Sequence, residues 1–168
     1  MDDTTARLDL PLIAPGQAGK EITHNEALSR LAILVQPIVM TVGVTTPPPD
    51  PLPGQAWIVG AAAEGIWAGH DLAIAGWTDG GWRFVSPEEG MTAWVVADQL
   101  AARFLEGDWR IGELRGRQLF IDGSASIGAP QPAIADPVGG TNIDLESRSS
   151  IAGILDALRY HGLVERGG

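Results

Sequence analysis

Six tryptophans, Trp57, Trp67, Trp77, Trp82, Trp94 and Trp109, fall in one stretch of the chain. An indole supports two kinds of chemistry. Buried, it removes a large apolar area from water and needs one partner for its N–H. Exposed, its face stacks on the apolar face of a sugar ring. Most of the six are expected to fill a core. Trp67, Trp77 and Trp82 are the candidate glycan-binding residues, because each borders glycine (Gly65, Gly69, Gly76, Gly80, Gly81), and small neighbours leave a ring face open.

Reactive groups are sparse by comparison. His24, His70 and His161 are far apart in sequence and lie in no HExxH arrangement, so no metal site is expected. His70-Asp71 has the residues of an oriented base, yet adjacent strand residues point to opposite faces. Around Ser126 the sequence SASIG lacks the first glycine of a nucleophile elbow. The only lysine is Lys20, and no glycine-rich phosphate loop occurs. Glu88-Glu89, Asp79 and Asp108 sit in turn sequences, where solvated carboxylates are the expected state. Neither a facing carboxylate pair nor EF-hand spacing can be read from them. The chain therefore reads as a non-enzyme with no cofactor and no metal.

Charge narrows the partners. Eleven basic against 21 acidic residues give a net charge of −10. Such a chain repels phosphate backbones and anionic lipid surfaces, so nucleic acid and membrane are not expected partners. Cysteine is absent, which excludes disulfides and thiolate metal sites. The opening MDDTTARLDL has no basic region followed by an apolar run, and no stretch approaches the roughly 20 apolar residues of a membrane span. Synthesis in the cytoplasm without a signal peptide is the expectation.

The elements that position these residues are legible in part. Leu8–Ile13 is a candidate edge strand broken by Pro11. Thr23 and Glu26 fit a capping box, followed by an apolar face of Ala27, Leu28, Leu31, Leu34 and Val35, with Pro37 as the stop. A β-branched strand is expected over 38–46, then a stiff proline connector over 47–51. Further strands are expected at 57–59, 66–68, 72–78, 82–85, 91–97, 101–105 and 119–122. The turns are Asp79-Gly80-Gly81, residues 86–90 and Glu106-Gly107-Asp108. Glycine (22) and proline (12) are abundant, which suits many short strands. Residues 123–140 are small, proline and glycine, an extended arm. A last helix follows, capped by Thr141 with Asp144 or by Asn142. Its stripe is Ile151, Ile154, Leu155 and Leu158, with Arg148, Asp156 and Arg159 on other faces. Gly162 and Leu163 are placed for a Schellman motif.

The expected fold is thus α+β, mainly β: an N-terminal helix, a small antiparallel β-barrel or meander, an extended arm and a C-terminal amphipathic helix. The expected divisions are 1–122, 123–140 and 141–168. The terminal helix, through Ile151, Ile154, Leu155 and Leu158, serves either as a docking face for a partner or as a lid on its own domain.

Three segments together resemble a known family. They are PLIAPGQAGKEITHNEALSRL, PPPDPLPGQAWIVG and GIWAGHDLAIAGWTDGGWRFVSPEEGMTAWV. They resemble domain of unknown function 2793, found in phage-related proteins and gene transfer agents of alphaproteobacteria, often in tail-fibre or head-spike proteins. The likeness covers about residues 8–110, and the ending GGTNIDLESRSSIAGILDALRYHGLV is similar to the tail of short members. The resemblance implies a virion structural protein of a phage-like particle: a head-spike base or fibre-attachment protein supporting host attachment. It implies a surface location on that particle and no catalytic residues. A homo-oligomer with capsid, spike or fibre subunits as partners is expected. The tryptophan–glycine pattern is also similar to chitin-binding-type modules, which makes carbohydrate binding to host capsular polysaccharide the alternative. An envelope-degrading hydrolase ranks behind both.

Overall fold

The computed structural model describes residues 4–16, 18–121, 124–139 and 144–166. It divides into two compact units, Met1–Glu113 and Leu114–Gly168. The boundary expected at 122 thus falls inside the second unit.

The first unit is built on two four-stranded sheets, and the α+β, mainly-β expectation holds. The sheets are open, so the meander half of the expectation is realised and the closed barrel is not. Strands β1 (Ile38–Val39), β6 (Thr92–Val95), β7 (Leu100–Leu105) and β8 (Asp108–Ile111) form one sheet in that order. Strands β2 (Val42–Val44), β3 (Ala56–Val59), β4 (Ile74–Thr78) and β5 (Gly81–Val85) form the other.

The strand expected over 38–46 is split between the two sheets. β1 pairs parallel to β6, and β2 pairs parallel to β3. Met40 sits at the crossing. Its N–H donates to Ala56 O at 2.7 Å, and its carbonyl accepts from Ala97 N–H at 3.1 Å. One short segment therefore stitches both sheets, and each sheet has a parallel edge inside an otherwise antiparallel pattern. Within the second sheet β2 and the end of β3 approach closely at glycine: a Cβ on Gly60 would lie 2.5 Å from the Gly43 carbonyl oxygen.

Val39, Ala56, Ile58, Ile74, Ala93, Val95, Ala102 and Trp109 form the buried layer between the sheets. β3 is buried along its whole length, because its other face carries a second cluster of Trp57, Val59, Trp67 and Ala75. Burial on both faces explains why AWIV reads as a continuous apolar run rather than an alternation. Residues 66–68, expected as a strand, instead lie in a 3₁₀ turn (Gly65–Trp67) that carries Trp67 onto this cluster. Residues 8–13 make only a single bridge, Thr4 to Pro11, in place of the expected edge strand.

Helix α1 (Lys20–Leu34) begins one turn earlier than the capping box predicted. Its N-cap is Gly19, left-handed at φ 83°, and Thr23 is an interior residue. Glu26 is drawn away to Arg30 and Arg83. The expected apolar face is also rotated. Ala27, Leu31 and Val35 are exposed, Leu28 and Leu34 are half-buried, and Ala32 and Ile33 turn inward. The reason is Gly76: it leaves room for Ile33, whose tip occupies the space a Cβ there would fill. Arg7 holds the far end of α1, donating to the carbonyls of Ala32, Val35 and Gln36. Desolvation of this guanidinium lowers its pKa.

The second unit has a hairpin of β9 (Leu119–Ile121) and β10 (Ser124–Ile127), then an extended arm, then helix α2 (Leu145–Tyr160). The arm lies along α2. Arg148 donates to Pro137 O at 3.2 Å and to Gly139 O, and Arg159 reaches Asp136 at 3.0 Å and Ile134 O at 2.6 Å. Gln131 bridges Val164. Asp144 is the N-cap, accepting from Ser147 N–H at 2.9 Å; Thr141 and Asn142, the other expected caps, lie outside the described residues. At the far end the Schellman pair forms as expected: Gly162 N–H to Arg159 O at 3.2 Å, and Leu163 N–H to Leu158 O at 2.9 Å, with Gly162 at φ 69°.

Candidate functional site

The candidate glycan residues separate by burial. Trp67 is fully buried, at 0% exposure. A ring without an open face cannot stack on a sugar, so Trp67 is removed from the candidates. Its flanking glycines shape the 3₁₀ turn: Gly65 and Gly69 sit at φ 62° and 80°. Trp77 and Trp82 are half-buried. They are neighbours across the β4–β5 hairpin, paired in register, with rings edge-on at 5.0 Å. Trp82 also meets Trp67 at 5.0 Å and Trp57 at 5.6 Å, both edge to face. Edge-to-face pairs contribute on the order of 1 kcal/mol each beyond their buried area. The four rings are primarily a structural cluster. The buried Trp67 N–H finds no hydrogen-bond partner among the described residues, whereas Trp109 Nε1–H donates to Leu72 O at 2.8 Å.

The solvent-facing tryptophan is Trp94, at 48% exposure, which the glycine criterion passed over. Register puts Ile38, Trp94 and Ala101 in one cross-strand row and Thr92, Arg103 and Arg110 in the next. Period-2 alternation in TAWV, with Ala93 and Val95 buried, was the sequence signal for its exposure.

No reactive constellation forms among the described residues. Asp71 does not orient His70; its carboxylate accepts the N–H groups of Ala62 and Ala63 at 3.1 Å each. His70 stacks flat on Phe84 at 3.7 Å. Glu89 accepts from Glu106 N–H at 3.0 Å and latches a turn. No group of three metal-ligating side chains occurs among the described residues, and no helix there is long and apolar enough to cross a membrane.

A cavity of 290 Å³ opens where α1, the N-terminal segment and the β4–β5 hairpin meet. Its lining includes Leu12, Ile22, Ala32, Ile33 and Trp77, with Asn25, Glu26, Ser29, Asp79 and Arg83 among the polar residues. Arg83 Nε–H donates to Glu26 at 2.6 Å, and Arg30 donates to the other oxygen at 3.0 Å. Desolvation pushes the Glu26 carboxyl up. The hydrogen bonds and charges of the two arginines outweigh that, and its pKa ends below the ordinary value. The Glu26–Arg30 half was legible as an i,i+4 pair. The Arg83 half joins residues far apart in sequence and leaves no local signal.

The expected partner stripe on α2 is split. Leu155 is buried and Leu158 half-buried, while Ile151 and Ile154 are 45% and 60% exposed. Arg148 and Arg159, expected on other faces, turn toward the arm.

No curated protein matches the chain. The model of DUF2793, described as a protein of unknown function, matches residues 24–110, which takes in α1 and both sheets of the first unit, and the chain belongs to that family.

Proposed function

We propose that this protein is a structural component of a phage-like particle, a head-spike base or fibre-attachment protein that supports host attachment. The family resemblance suggests the particle, and one observation carries the attachment role: α2 keeps Ile151 and Ile154 facing solvent after its arm is satisfied. Ser147, Ile151, Ile154 and Leu158 recur at alternating spacings of four and three, the seam pattern of helix–helix association. Isoleucines left exposed at two successive seam positions suit a second copy of the chain or a neighbouring subunit. Replacing both, as Ile151→Asp with Ile154→Asp, tests this without touching a buried side chain. The expected result is a folded protein absent from purified particles. Normal incorporation of the double variant would sink the reading.

Carbohydrate binding is the second reading, and Trp94 favours it more than the glycine-flanked rings do. It presents an indole on an open sheet face beside a row holding Arg103 and Arg110, a suitable platform for an acidic polysaccharide. Loss of host adsorption in Trp94→Ala, with particle assembly intact, is the expected outcome. Adsorption equal to wild type in that variant and in Trp77→Ala removes the reading.

A further inference from the structure

We infer that the cavity beside α1 is a binding pocket for a small, flat molecule without negative charge, carrying one O–H or N–H donor. Its 290 Å³ suits a single ring system, and its walls are mainly apolar, formed by Leu12, Ile22, Ala32, Ile33 and Trp77. The cations around it are already engaged. Glu26 is held by Arg30 and Arg83, and Arg83 Nη1 donates to the carbonyls of Gly80 and Trp82 at 3.1 Å each. Arg7 is committed to the end of α1. Both amide atoms of Asn25 are taken by the Ile13 backbone, at 2.9 and 3.0 Å. An anionic ligand would lose its water and find no uncommitted cation.

The lining also holds polar groups with no partner among the described residues, the Ser29 hydroxyl and the Asp79 carboxylate among them. The carboxylate is an acceptor at the mouth, and it selects a ligand with a donor at one edge. The ring then lies among Trp77, Ile33 and Ile22. This pocket is independent of the particle reading, since it requires neither α2 nor a partner subunit.

Phenol is the test probe, titrated into the full chain at neutral pH and followed in two-dimensional ¹H–¹⁵N spectra, including the Trp77 indole N–H. Benzoate and methyl glucoside are the comparators. Saturable shifts confined to α1 and the β4–β5 hairpin are expected with phenol and not with benzoate. Ser29→Leu places an isobutyl group in the cavity and should weaken phenol at least tenfold without lowering the melting temperature. Asp79→Asn, an exposed turn substitution, should weaken it several-fold and serves if Ser29→Leu proves unstable. Absence of saturation with phenol overturns the inference, as does equal binding of benzoate. Binding of methyl glucoside alone would reassign the pocket to a saccharide.

Discussion

The two units of the chain are held by different physics. In the first, segments distant in sequence are packed into two apolar clusters, and the stabilising contacts join residues such as Ile33 with Gly76 and Trp109 with Leu72. In the second, the described buried apolar side chains are Leu155 and Val164, and order comes from caps, two arginines and short-range hydrogen bonds. The first should respond steeply to lost volume, the second to lost polar contacts. The tryptophans all lie in the first unit and the single tyrosine, Tyr160, in the second, so intrinsic probes report the two separately.

The largest expected effect is at Trp67. Trp67→Ala opens a void beneath two neighbouring rings, Trp57 and Trp82, and should cost about 4 kcal/mol, read as a fall in the urea midpoint of tryptophan fluorescence. Trp67→Phe should cost clearly less, because it keeps an aromatic edge and removes an N–H that has no partner among the described residues. Equal losses in the two variants would mean that the cluster is not packed on ring edges.

Next comes the close approach of β2 and β3 within their sheet. A Cβ at Gly60 meets Gly43 oxygen and carbon at 2.5 and 2.8 Å, and backbone there cannot yield without parting β2 from β3. Gly60→Ala should cost about 3 kcal/mol. Gly76→Ala meets the Ile33 side chain at 2.5 and 2.7 Å rather than backbone, and should cost less, about 2 kcal/mol. The reverse order in thermal melts would place the weak joint at α1 rather than at the approach of β2 and β3.

In the second unit, Leu155→Ala should cost about 2 kcal/mol, seen as faster amide exchange along α2 with tryptophan fluorescence unchanged. A parallel loss of the tryptophan signal would show that the units do not unfold separately.

The same contrast decided what could be read from sequence. Elements fixed by local chemistry were legible: the Schellman end of α2, the β4–β5 and β7–β8 hairpins, and Pro37 after α1. Elements fixed by distant partners were not. Ile38–Val44 has one composition, yet it divides because Met40 finds acceptor and donor in two different sheets. The face of α1 was misjudged because a glycine 43 positions beyond Ile33 decides which side chain fits. Trp67 has the same open-looking glycine neighbours whether it points out or in, and only the 3₁₀ turn sends it inward. At the cavity, Ile33 and Trp77 were visible as apolar residues, but their convergence was not.

The smallest effect is electrostatic and concerns the start of α2. The backbone N–H and hydroxyl of Ser147 both donate to the Asp144 carboxylate and hold its pKa below the ordinary value. A carboxyl depressed in the folded state stabilises it above its unfolded pKa, and that contribution is lost as pH falls through the folded value. The window therefore lies on the acid side of about pH 4. Glu26 in the first unit has the same sign, with burial opposing its two arginines. The units can be told apart by replacing only the α2 cap. Asparagine caps as well as aspartate but does not titrate there, so Asp144→Asn should keep α2 ordered at neutral pH and flatten its acid fraying. Asp144→Ala should fray α2 at every pH. Amide exchange in the first turn of α2, measured from neutral pH into that window, reads both. An asparagine variant that frays with acid as the wild type does would move the titrating group elsewhere in the second unit.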